Sequence, residues 1–133
     1  MSIIKQNTNM IFRQFFDNFS STYTYLISSG KGREALIIDP VLEQINRDLS
    51  IINKLNLDLL YIFETHVHAD HITGASLLKE KTDAKICCGS KTGVKGADIF
   101  LKDNDILKFG TFQLKAIYTP GHTSGCTSYY ING

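Results

Sequence analysis

The spacing of apolar residues changes part-way along this chain. From Met10 to Phe16 and from Thr22 to Ser28 the residues are rich in Phe, Tyr and Thr, which predicts two strands. Ser28–Gly32 (SSGKG) has turn chemistry, and Glu34–Asp39 (EALIID) predicts a third strand, stopped by Pro40. Together the three strands read as an antiparallel meander. The period then lengthens. Val41, Leu42, Ile45, Leu49, Ile52 and Leu55 fall on one face of a helix. Leu59–Phe63 (LLYIF) is a continuous apolar run, as expected of a strand covered on both faces. His71–Lys81 predicts a second helix, with Asp70 suited to cap its start. Ala84–Cys88, Asp105–Phe109, Phe112–Tyr118 and Cys126–Ile131 predict four more strands, with a turn at Gly110. Phe12, Phe15 and Phe16 are expected in the core. Of Tyr129 and Tyr130, one should face inward and one outward.

Strands first, then strands alternating with helices, indicate α/β layering with at least one large sheet. The 133 residues contain no repeat, low-complexity tract or linker, so residues 1–133 read as a single domain. The last strand ends at Asn132–Gly133, a dipeptide that normally sits in a hairpin turn, so a partner strand is expected beyond it.

Charge narrows the function classes. A net charge of +1, without long like-charge runs, disfavours nucleic acid or an anionic membrane as the main partner. No stretch approaches the roughly 18 apolar residues of a spanning helix. The N-terminal residues have neither a signal peptide's apolar core nor a transit sequence's arginines, and a cytoplasmic protein is the expectation. Cys87, Cys88 and Cys126 are an odd set with an adjacent pair. That pattern suits reduced, buried thiols better than a disulfide framework. Gly89–Gly96 (GSKTGVKG), with Lys91 and Lys95, does not match a phosphate-binding loop and reads as a surface loop.

The chemistry concentrates at residues 64–74, ETHVHADHITG, which hold three of the four histidines. His66 and His68 are two apart at the end of a predicted strand, so both imidazoles can point to the same side. Asp70 and His71 come next as the chain turns into a helix and can aim at a second, nearby point. Strand ends are where α/β sheets place ligands. Neutral imidazole with carboxylate suits zinc, iron or manganese. The fourth histidine, His122, lies in the glycine-flanked loop TPGHTSG, which lets backbone approach a ligand closely.

These residues carry a family resemblance. Thr65–His71 (THVHADH) resembles the THxHxDH signature of the metallo-β-lactamase superfamily. Asp39 in LIIDP resembles its early aspartate, and His122 its later histidine. FRQFFD, SSTYTYL, DPVLEQINRDL, ETHVHADHITGA and TPGHTSGCTSYY are similar to the persulfide dioxygenases within it. The resemblance implies an αβ/βα sandwich, of which this chain would hold the N-terminal half to two-thirds. It implies one ferrous iron per chain, with His66 and His122 as ligands, a glutathione persulfide and O2 as partners, and sulfite as product. His68, Asp70 and His71 match positions that hold a second metal in binuclear zinc relatives; in the iron group they would orient the ligands, as would Asp39. No Asp, Glu or His comes after His122, so the family's third-ligand aspartate has no counterpart, and Asp70 is the candidate substitute. Two alternatives stand beside this: a binuclear zinc thioester hydrolase of the glyoxalase II type, and a truncated, non-catalytic metal-binding module. A homo-oligomer is compatible with all three.

Overall fold

The computed structural model describes residues 3–5, 10–30, 33–65, 74–90, 96–118 and 127–132. The elements in order are β1 (Ile3–Lys5), β2 (Ile11–Asp17), β3 (Thr22–Ser28), β4 (Glu34–Ile38), a 3-10 turn (Leu42–Gln44), α1 (Ile45–Lys54), β5 (Asp58–Glu64), α2 (Gly74–Thr82), β6 (Lys85–Gly89), β7 (Ile99–Leu101), β8 (Ile106–Phe109), β9 (Phe112–Tyr118) and β10 (Thr127–Asn132). They build two sheets. One has six strands in the order β2-β3-β4-β5-β6-β7, the other four in the order β1-β10-β9-β8.

Pairing is set by the connections. Strands β2, β3 and β4 form the expected antiparallel meander. From β4 onward the six-stranded sheet is parallel, because α1 and α2 carry the chain back between β4, β5 and β6. A register shift beside Ala35/Leu36 lets Leu59 and Ile62 of β5 pack on the same core. The two-residue turn between β8 and β9 needs Gly110, whose φ is +55° and whose added Cβ would lie 2.5 Å from the Ser29 hydroxyl.

Two cores lie on opposite faces of the larger sheet. On one face, Ile27, Leu36, Ile38, Phe63 and Cys87 meet Phe112, Leu114, Ala116, Tyr129 and Ile131 of the smaller sheet. On the other, Leu26, Ile37, Leu59, Ile62 and Ile86 meet Ile45 and Ile52 of α1 and Ala75 and Leu78 of α2. Strand β5 is thus covered on both faces, as its apolar run requires. The layers run helices, six-stranded sheet, four-stranded sheet, which is the α/β sandwich expected.

Three expectations need correction. Phe16 is 43% exposed, because β2 is an edge strand and Phe16 meets exposed Tyr23, the rings tilted at 50° with centroids 4.8 Å apart, rather than entering the core. Leu42 is 37% exposed: the helix begins at Ile45, and Val41 before the 3-10 turn is extended. Strands β1 and β7 have no counterpart in the hydrophobic pattern. Cys87 and Cys88 are buried, and burial pushes the Cys87 thiol up to about 12. Cys126, Lys91, Lys95 and Asp70, the expected cap of the second helix, lie outside the described residues.

Gly74 opens α2 in a close fit. Its amide donates to the Pro40 carbonyl at 3.3 Å, and an added Cβ would lie 2.6 Å from Ile45 Cδ1 and 3.0 Å from the Val41 carbonyl carbon. Backbone cannot yield as a side-chain end can. Gly74→Ala is therefore expected to lose about 2 kcal/mol in denaturant unfolding, despite alanine's better helix propensity. Unchanged stability would contradict this packing.

Candidate metal-binding site

The parallel strands β4, β5 and β6 end side by side, so the segments leaving them share one edge of the sheet. Asp39 leaves β4 and Thr65 leaves β5. Asp39 is 4% exposed and has a left-handed backbone, φ +54°, which aspartate tolerates better than most residues. Its backbone is held on both sides. The Asp39 amide donates to the Phe63 carbonyl at 2.8 Å, and its carbonyl accepts from the Thr24 hydroxyl at 2.8 Å.

That turn aims the carboxylate at Thr65. Oδ1 accepts the Thr65 amide at 2.9 Å, and Oδ2 accepts the Thr65 hydroxyl at 2.5 Å. Both oxygens are thus engaged by Thr65. Glu64, 2% exposed, is held from the other sheet: the Tyr129 hydroxyl of β10 donates to its backbone carbonyl at 3.2 Å. Burial keeps the Tyr129 phenol well above its usual range, so it stays a donor.

Beside this node lies a cleft of about 380 Å³, lined by Asp39, Thr65 and the hydroxyl residues Ser20, Ser21, Thr22, Tyr23 and Tyr25. The turn from β2 into β3 that supplies the serines is tied down by Asp17. Its carboxylate accepts the Ser20 amide and hydroxyl and the Gln44 amide side chain, at 2.8, 2.6 and 2.8 Å. The Ser20 hydroxyl, then Gln44, hold Asp17 below the usual carboxylate range.

Of the candidate metal-site residues, Asp39 is the one the structure describes. His66, His68, Asp70, His71 and His122 lie outside the described residues, among which no three His, Cys, Asp or Glu side chains form a metal-binding group. The sequence nevertheless anticipates a metal, and the described frame is compatible with one. The chain enters HVHADH from a buried residue held by two side-chain bonds, at the ligand-bearing edge of a parallel sheet, and the donors beyond it are imidazoles and a carboxylate. Thr65 and Tyr129 are contributors that the sequence does not single out. Thr65 sits inside the motif itself; Tyr129 gives no local signal.

Comparison with known proteins agrees with this frame. Residues 17–133 match the profile of the metallo-beta-lactamase superfamily. The chain is 42% identical over 123 residues to the Homo sapiens protein named persulfide dioxygenase ETHE1, mitochondrial, covering 92% of this chain and 48% of that protein. It is 33% identical over 115 residues to a hydroxyacylglutathione hydrolase of Crocosphaera subtropica, covering 84% of this chain and 44% of that one. The crystal structure of ETHE1 from Myxococcus xanthus superposes with a TM-score of 0.84 at 46% identity, covering 91% of this chain and 53% of that one. The chain spans about half the length of the curated relatives it matches. From the Asp39–Thr65 node, the order of the motifs and these matches, the chain belongs to the metallo-beta-lactamase superfamily.

Proposed function

We propose that this chain carries the histidine-bearing half of a mononuclear ferrous site of the persulfide dioxygenase type, acting on a glutathione persulfide with O2. The observation that carries the reading is the Asp39–Thr65 node, which anchors the residue immediately before HVHADH. The 42% identity to a persulfide dioxygenase over 92% of this chain, against 33% over 84% for one glyoxalase II-type hydrolase and 44% over only 53% for another, favours the dioxygenase over the zinc reading. His66 and His122 would hold the iron, with Asp70, four residues after His66, as the candidate carboxylate. His68 and His71 would orient those ligands. When bound, ferrous iron supplies open positions at which a thiol-derived sulfur and dioxygen react.

The chain's own residues do the rest. Asp39 braces the ligand segment through Thr65. The hydroxyl-lined cleft beside Thr65 is where a small polar thiol would approach. Oxygen transfer to the terminal sulfur, then hydrolysis, would release sulfite and glutathione.

The test is metal content by plasma mass spectrometry after anaerobic loading with ferrous iron and, separately, zinc. One retained iron with oxygen uptake on glutathione persulfide is the expected result. Two retained zincs would transfer the reading to the thioester hydrolases. No retained metal would end the metal reading for these 133 residues.

A further inference from the structure

Tyr129 joins two parts of the chain that are 65 residues apart in sequence. It lies in β10, which begins five residues after His122 in sequence. Its hydroxyl donates across the sandwich to the carbonyl of Glu64, two residues before His66. The ring is 1% exposed and meets Phe63 edge-on, with centroids 4.9 Å apart and planes at 64°. Most of the interface between the sheets here is apolar and non-directional: Leu114, Ala116 and Ile131 against Ile38, Phe63 and Cys87. Apolar packing resists separation but sets register loosely, whereas a buried hydrogen bond to a backbone carbonyl is directional. A phenylalanine would fill the same volume, so the hydroxyl is not needed for packing.

We propose that the Tyr129 hydroxyl is a positioning strut that sets the spacing between the two histidine-bearing segments, by pinning the strand after His122 to the strand before His66. Asp39 fixes Thr65, the residue before HVHADH, within its own sheet; Tyr129 fixes Glu64 relative to the other. The consequence for a metal rests on the proposed ferrous site, but the strut itself does not.

Tyr129→Phe tests it, because the ring and its contact on Phe63 remain. Hydrogen exchange is measured in chelator on the full chain, by peptide. The expected result is exchange about fivefold faster in peptides covering 58–65 and 127–132, with β3 and β4 unchanged, which is the size of one net buried hydrogen bond. Titration with Co2+, read by its visible spectrum, should show a dissociation constant several-fold larger than in the wild type. Exchange that is unchanged, or that rises equally in β3 and β4, would overturn the strut, since the hydroxyl would then be idle or only a source of global stability. Wild-type protein that retains no Co2+, with the local exchange difference intact, would sink the metal reading and leave the strut standing.

Discussion

Asp39→Ala is expected to cost about 3 kcal/mol in denaturant unfolding and to abolish retention of any metal at the histidine segment. Two losses add. Alanine in the left-handed conformation costs about 1 kcal/mol or more that aspartate largely avoids. Removing the carboxylate takes away two charge-assisted bonds to Thr65, itself 2% exposed, and buried donors deprived of an acceptor cost about 1–3 kcal/mol. Asp39→Asn separates the terms. Asparagine tolerates the same backbone and can still accept the Thr65 amide through its carbonyl, so its cost should be about 1 kcal/mol. If alanine and asparagine lose equal stability, the turn and the Thr65 amide bond that asparagine keeps contribute nothing, and the whole cost is that of the lost negative charge. If alanine loses less than about 1 kcal/mol, neither term holds.

The same node shows which parts of this molecule its sequence discloses. Strands Thr22–Ser28 and Phe112–Tyr118 are legible to the residue, because aromatic and β-branched runs end at turn residues on both sides. The helix after Pro40 is legible in its period, but not in its start. Periodicity places Leu42 on the apolar face, and only the extended backbone at Val41 removes it. Strands β1 and β7 are three residues each, and they pair with β10 and β6. Segments that short carry no period; their identity comes from partners far along the chain. Phe16 misleads for a related reason, since whether a strand lies at a sheet edge is decided by the order of strands and not by its own residues. Asp39 is legible as a strand-end carboxylate in a known motif order. The Tyr129–Glu64 bond is not, because its acceptor is a backbone carbonyl, which every residue has. Local spacing proposes the chemistry; the scaffold beside it is written in contacts between distant segments.

Asp48 shows how far a buried group can escape pattern reading, and it predicts a pH dependence. It lies in the first turn of α1, on the face that carries Ile45 and Ile52, and is 0% exposed. Oδ1 takes Nε and Nη2 of Arg47 at 3.2 and 3.1 Å, while Oδ2 has no hydrogen-bond partner among the described residues. Arg47 is drawn partly away: its guanidinium lies 4.7 Å from the Phe15 ring centroid and also attracts Asp17. Burial therefore outweighs the ion pair, and the Asp48 carboxyl is raised from 3.8 to about 6. Between these values the folded chain holds a proton that the unfolded chain has released. Stability from this group is thus fully present below about pH 4 and is lost as pH rises through about 6, the loss amounting to about 3 kcal/mol. Asp17 and Asp98, both held low, act in the opposite sense and at lower pH, where stability falls as they protonate. Asp48→Asn removes the titration and leaves theirs. The difference in unfolding free energy, variant minus wild type in chelator, should climb in the variant's favour by about 3 kcal/mol between pH 4 and pH 7 and then level off. A difference that stays flat across that range would mean that Asp48 is ionised in the folded protein throughout, with Arg47 fully compensating its burial.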